Sequence, residues 1–228
     1  MTETARDPET PGLHAVPPRG GRLILVVGPS GAGKDTLLEG ARSAMALPGG
    51  PGFARRVVTR PADAGGEAHE PASDAAFDAL IAEGAMFVHW RAHGLGYGAR
   101  ADLRARLAAG EDIVLNGSRA AVPSILARWA RTGVVSITAP AEIMAARLAA
   151  RGREDAEAVA LRRARVVAPL PRGIPVIEIA NDCDVATGIH RLIEAIGAVR
   201  ALPAQAFGNA PSAAATPMPT PTPAAEGA

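Results

Sequence analysis

Lys34 is the only lysine in the chain, and every other basic side chain of the lysine–arginine kind is arginine. It closes the string Gly28-Pro29-Ser30-Gly31-Ala32-Gly33-Lys34, which runs on into Asp35 and Thr36. Glycines at this spacing let consecutive backbone N–H groups face inward and approach phosphate oxygens, and a helix beginning here adds positive partial charge. A compact ammonium on a flexible stem fits inside such a turn, whereas a planar guanidinium does not. The spacing is that of the phosphate-cradling loop G-x-x-x-x-G-K-[ST]. Gly28 to Thr36 are therefore expected to bind a nucleoside triphosphate, with Lys34 on its β- and γ-phosphates.

The last position of the motif departs from the rule. A serine or threonine hydroxyl after the lysine would reach Mg²⁺, and this chain has Asp35 there, with Thr36 one place later. Mg²⁺ takes carboxylate and other oxygen ligands while keeping several waters. Two readings stand open: Asp35 meets the ion directly or through water, or Thr36 takes that role and Asp35 turns away.

Four further groups are candidates for the acceptor and the transferring phosphate. Arg55-Arg56-Val57-Val58-Thr59-Arg60-Pro61 precedes Gly65-Gly66-Glu67-Ala68-His69-Glu70, and arginine forks grip phosphate with two parallel hydrogen bonds. Arg56, Arg60 and Glu67 are the expected acceptor contacts of this stretch. Trp90-Arg91-Ala92-His93-Gly94-Leu95-Gly96-Tyr97-Gly98 holds the only tyrosine, and its glycines read as backbone kept clear for a ligand around Tyr97. His93 reads either as a substrate contact or as the cap of a turn. Asn116-Gly117-Ser118-Arg119 follows an apolar run, at the strand end where α/β proteins bind ligands, so Asn116 and Arg119 are expected to face the substrate. Arg147, Arg151 and Arg153 are the expected cations on the phosphoryl group in transfer. Arg162, Arg163 and Arg165 read as a continuation of the same charged segment.

These residues need a scaffold, and the apolar pattern supplies one. Leu23–Val27 is a short continuous apolar run ending in glycine, as in a strand buried on both faces. Similar runs recur at Ile113–Leu115, Val134–Ile137 and Val176–Ile179. Helical patterns lie between and after them, over Thr36–Met45, Ala99–Ala109, Ser118–Ala130, Pro140–Ala150 and Asp184–Arg200. The alternation predicts an α/β fold with a mostly parallel sheet flanked by helices. Two stretches break it. Residues 49–98 are rich in glycine, proline and polar residues, with a short helical pattern near Asp74–Glu83, and are expected to bind the acceptor. Residues 147–172 are arginine-dense and are expected to form a lid.

The bounds are those of one kinase-sized unit over residues 22–202, with residues 1–21 and the Ala/Pro/Thr-rich residues 203–228 expected to be disordered. A formal charge of +1 gives no reason to expect nucleic acid or a membrane surface as partner. The first twenty residues lack the apolar stretch of a secretory signal, and no apolar run is long enough to span a membrane. The single cysteine, Cys183, is expected to be a small buried residue in a reducing, cytoplasmic compartment.

On these residues the chain resembles the guanylate-kinase-like nucleoside monophosphate kinases of the P-loop NTPase class. Val27 to Lys34 looks like their phosphate loop, and Arg147-Leu148-Ala149-Ala150-Arg151-Gly152-Arg153-Glu154-Asp155 resembles their lid. Within that group it is most similar to the ribose 1,5-bisphosphate phosphokinase family of phosphonate breakdown. The residues that carry this are Gly33-Lys34-Asp35-Thr36, Thr59-Arg60-Pro61 with Gly66-Glu67-Ala68-His69-Glu70, Ala92-His93-Gly94 with Tyr97-Gly98, Asn116-Gly117-Ser118-Arg119 and Asn181-Asp182. The resemblance implies Mg²⁺ with ATP as the donor and ribose 1,5-bisphosphate, a small phosphorylated sugar, as the acceptor. The products implied are ADP and 5-phosphoribosyl 1-diphosphate, with Asp35 expected where other members carry serine. Guanylate kinase is the alternative enzyme, against which the lack of a second tyrosine counts. A non-catalytic module on the same fold is the alternative class, against which the intact loop counts.

Overall fold

The computed structural model describes residues 20–63, 66–150 and 169–207. Strand β1, Leu23–Val27, runs through its middle with every side chain buried. Successive strand side chains point to opposite faces, so β1 feeds two cores. Leu23, Leu25 and Val27 join Leu103, Leu107, Ile125 and Trp129, while Ile24 and Val26 join Leu37, Ile137, Leu192 and Ile196.

β1 is the central strand of a five-stranded sheet. Its neighbours are β7 (Ile113–Asn116) and β8 (Thr132–Thr138), flanked by β2 (Gly52–Phe53) and β9 (Val176–Ala180), and every pairing is parallel. Helices α1 (Lys34–Ala44) and α6 (Val185–Ala201) supply one core, and α3 (Asp102–Ala108) and α4 (Val122–Arg128) the other. Helix α5, Ala141–Ala150, follows β8. Asp184 starts α6 by accepting from the Thr187 N–H at 2.9 Å. The parallel α/β sheet expected from the sequence is therefore present, and it carries Lys34 and Asn116 at the carboxyl ends of its central strands.

The expected acceptor region holds a sheet of its own, which the sequence did not predict. β3 (Arg56–Val58) lies between β4 (Glu70–Pro71) and β6 (Leu95–Arg100), and β5 (Met86–Ala92) completes the order β4-β3-β6-β5. β6 is antiparallel to both β3 and β5. Helix α2, Asp74–Ala82, is capped by Ser73, whose hydroxyl accepts from the Ala76 N–H at 3.1 Å.

Several expected boundaries move. The helix expected from Ala99 begins at Asp102, because Ala99 and Arg100 end β6 and pair with Arg56 and Met86. Here strand pairing overrides the helical preference of alanine and arginine. The helix expected over Ser118–Ala130 is a short 3-10 turn, Arg119–Ala121, followed by α4. It stops before Trp129, whose indole N–H donates to the Gly21 carbonyl at 3.0 Å. The fold also reaches past both expected ends. The Gly21 N–H donates to the Leu107 carbonyl at 2.7 Å, and Phe207 is buried against the α6 core. Residues 1–19 and 208–228, with most of the expected lid, lie outside the described residues. Cys183 is half-buried rather than buried. No helix among the described residues is long and apolar enough to cross a membrane.

Candidate active site

The phosphate loop leaves β1 and ends as α1 begins. Gly33 caps α1 with φ 88° and no side-chain hydrogen bond, so no side chain competes for the first N–H groups of the helix. A Cβ on Gly33 would lie 2.4 Å from Asn181 Nδ2, and one on Gly28 would lie 2.2 Å from the Ile137 carbonyl oxygen. The glycines are thus required by close approach as well as by backbone angle. Asn181, at the end of β9, donates to the Ala32 carbonyl at 2.7 Å and braces the loop from behind. Arg147 Nη1 comes to 3.4 Å of the same carbonyl from α5, which places this expected cation beside the loop. Lys34 folds back over it, with Nζ donating to the Gly28 and Pro29 carbonyls at 2.7 and 3.0 Å. Those carbonyls hold the ammonium where polyphosphate oxygens would meet it.

Asp35 lies beside Asn116. Its Oδ1 accepts from Asn116 Nδ2 at 3.0 Å, and the same amide donates to Glu67 Oε2 at 2.8 Å. Asn116 is only 5% exposed, and its Oδ1 has no partner among the described residues. Thr36 is exposed. A buried, unpartnered amide oxygen beside a carboxylate is a fit donor set for Mg²⁺, which takes few protein oxygens and completes its shell with water and phosphate.

Glu67 carries the chain of contacts into the smaller sheet. Arg56 Nε donates to Glu67 Oε1 at 2.5 Å, and Arg56 Nη2 pairs with the same carboxylate. The Arg56 guanidinium also lies over the rings of Tyr97, at 4.9 Å, and Trp90, at 5.9 Å. Those rings stack on each other at 5.8 Å and 11°. Asp35, Asn116, Glu67, Arg56 and Tyr97 therefore form one continuous row from the loop lysine's neighbour to the smaller sheet. Beside it, Arg100 pairs with Glu70 and holds that carboxyl below the usual carboxylate range.

No protein-family model matches the chain. Ribose 1,5-bisphosphate phosphokinase PhnN of Agrobacterium fabrum is 45% identical over 167 residues, which span 72% of this chain and 85% of that protein. The protein of the same name from Chromobacterium violaceum is 46% identical over 151 residues, 66% of this chain and 80% of that one. The chain belongs to the ribose 1,5-bisphosphate phosphokinase family. A bifunctional ribose 1,5-bisphosphokinase-thymidine phosphorylase of Azorhizobium caulinodans is 50% identical over 176 residues, and the chain spans only 25% of its length. Among solved structures, guanylate kinase of Anaplasma phagocytophilum superposes with a TM-score of 0.58 at 17% identity, covering 81% of this chain and 88% of that one, which shows a shared fold.

The other residues that the family resemblance singled out fall in different places. Arg60 lies by the row: a Cβ on Gly66 would sit 3.3 Å from Arg60 Nη2 and 3.7 Å from Asp35 Oδ2. Arg119 Nη2 donates to the buried Ser136 Oγ at 2.7 Å, so its guanidinium reaches across to β8. His93 sits exposed at the tip of the β5–β6 hairpin with φ 54°, a conformation that histidine tolerates better than most residues. Gly96 and Gly98 are not cleared for a ligand. A Cβ on Gly96 would lie 2.8 Å from the Phe77 ring, and one on Gly98 3.0 Å from the Val88 carbonyl oxygen, so both serve packing. Arg151 and Arg153 lie outside the described residues. Asn181, His69 and Ser136 were not expected at the site on their own chemistry, because a polar residue at a strand end or in a glycine-rich loop carries no pattern of its own.

Proposed function

We propose that this member of the ribose 1,5-bisphosphate phosphokinase family transfers the γ-phosphoryl group of ATP to α-D-ribose 1,5-bisphosphate. The products are ADP and 5-phospho-α-D-ribose 1-diphosphate. An oxygen of the 1-phosphate attacks the γ-phosphorus, and the bond from that phosphorus to the bridging oxygen of ADP breaks. A phosphate monoester has its second pKa near ~6 and is already nucleophilic at neutral pH, so no protein base is needed. Positioning and charge neutralisation are the whole task.

The observation that carries this reading is the row from Asp35 to Tyr97. It joins the phosphate loop to an arginine-bearing acceptor sheet through Asn116 and Glu67. Lys34 and the loop N–H groups bind the triphosphate, and Arg147 stands beside them to meet charge on the group in transfer. Asp35 and Asn116 Oδ1 would hold Mg²⁺, which supplies positive charge to the phosphate oxygens. Thr36 is left as a contact to the nucleotide. Arg60 faces the acceptor beside Asp35, and Arg56 and Arg119 are reserved for its far phosphate. Arg151 and Arg153 complete the cationic surround in this reading. The working compartment is the cytoplasm, where ATP is plentiful.

ADP release measured with ribose 1,5-bisphosphate and with GMP tests the reading. Turnover of the bisphosphate with little of GMP is expected, and the reverse overturns it.

A further inference from the structure

His69 takes no part in the chemistry above, yet it is 2% exposed in the middle of the acceptor loop. Its two ring nitrogens face two carbonyl oxygens from different parts of that loop. Nε2 lies 3.0 Å from the Arg60 carbonyl, and Nδ1 lies 3.0 Å from the Glu67 carbonyl. Arg60 Nη2 is 3.4 Å from the same Nδ1, and the His69 carbonyl accepts from Arg55 Nη2 at 2.7 Å. One imidazole thus touches the backbone of both residues that bring charge to the acceptor: Arg60, beside Asp35, and Glu67, on Asn116 and Arg56.

A neutral imidazole carries one N–H, so it donates to one of these carbonyls, and an apolar side chain here would take that donor away. Buried carbonyl groups are nearly always paired, and the pairing fixes the separation of the two ends of the loop. An imidazole presents polar atoms on opposite edges of a rigid ring, which a flexible side chain does not. On the proposed function above, we infer that His69 is a positioning residue for the acceptor: it holds Arg60 and Glu67 at a set distance, so that the sugar phosphate meets both together. The phosphate loop has separate braces, with the Ala32 carbonyl held by Asn181 and Arg147 and Lys34 held by the Gly28 and Pro29 carbonyls.

The test compares His69→Gln, which keeps one N–H donor group near the position of Nε2, facing the Arg60 carbonyl, with His69→Met, which keeps bulk and loses the donor. Initial rates are taken for both substrates in the full chain. His69→Met is expected to raise the acceptor KM by roughly ten- to hundredfold, the scale of one or two unpaired buried polar groups. The ATP KM is expected to stay within about twofold, and His69→Gln to recover most of the loss. An unchanged acceptor KM in His69→Met overturns the inference, as does a Gln variant no better than Met. If His69→Met does not fold, His69→Asn, whose shorter amide cannot span both carbonyls, carries the same expectation. Failure of the unaltered chain to use ribose 1,5-bisphosphate would instead overturn the proposed function, and the acceptor KM for whatever monophosphate it does use would then be read in the same variants.

Discussion

Asn116 stands 3.0 Å from Asp35, joining the end of one central strand to the first turn of the helix beside the next. The contact turns an irregular loop sequence into a shared site. With Asn116→Ala, Asp35 and Glu67 both lose a donor while remaining near one another. Hydrogen bonds to charged groups contribute roughly 1.5–3 kcal/mol each, so kcat/KM is expected to fall by about ten- to a thousandfold. A coupled ADP-release assay reads this directly, and a change within twofold would show that the amide is dispensable.

Asp35 and Thr36 are separated by their Mg²⁺ dependence. Asp35 sits on the Asn116 amide and Thr36 is exposed. Asp35→Ala is expected to raise the Mg²⁺ concentration for half-maximal activity by about tenfold, and Thr36→Val to leave it in place. Magnesium titration at fixed ATP distinguishes the two, and the opposite ranking would move the ion to Thr36.

Lys34→Ala is expected to lower turnover by roughly 10²–10³-fold, the scale of one lost electrostatic contact to a transition state. Lys34→Arg is expected to fail as well, since the ammonium lies within 2.7 and 3.0 Å of two loop carbonyls and a guanidinium fork is too broad. Unchanged circular dichroism would show that the fold survives both changes.

Gly33→Ala tests the brace instead of the chemistry. The new Cβ would meet Asn181 Nδ2 at 2.4 Å at a residue with φ 88°. Strain of this kind costs about 1–3 kcal/mol, so a lowered melting temperature is expected together with weakened ATP binding. An unchanged melting curve would mean that the loop relaxes freely.

Acid should loosen the smaller sheet first. Glu70 bridges β4 to Arg100 on β6, and Arg100 holds its carboxyl below the ordinary 4.5. A depressed folded-state value contributes stability that is present above about 4.5 and is lost as pH falls through the lower folded value. The pair is more than a third exposed, so solvent screening keeps the effect to a few tenths of a kcal/mol. His89 acts at higher pH: burial, then the charges of Arg128 and Arg91, lower its pKa, so its contribution is present above 6.5 and is lost below it. Melting temperature against pH is expected to decline below 6.5 and again below 4.5. His89→Gln should flatten the first step and Glu70→Gln the second.

The larger sheet was legible because its strands are long enough to show themselves. Leu23–Val27 is apolar throughout, and the other parallel strands are similar runs between helices. The smaller sheet was hidden by its residues. β4 has two residues and β3 three, and β6 carries Gly96 and Gly98, whose composition reads as loop. Only the close approach of Phe77 and Val88 explains those glycines, and such contacts lie far apart in sequence. At the site, Lys34, Asp35, Asn116 and Glu67 were legible by residue type. The meeting of Asp35 and Glu67 on the Asn116 amide was not, since 81 positions separate Asp35 from Asn116.

The phosphate loop hangs from the larger sheet and the Arg56–Tyr97 shelf from the smaller one, with Asn116 and Glu67 as the handshake between them. Inheritance can treat these as separate traits. Substitutions confined to the smaller sheet can give descendants a taste for a new recipient while the energy-yielding half stays as it was.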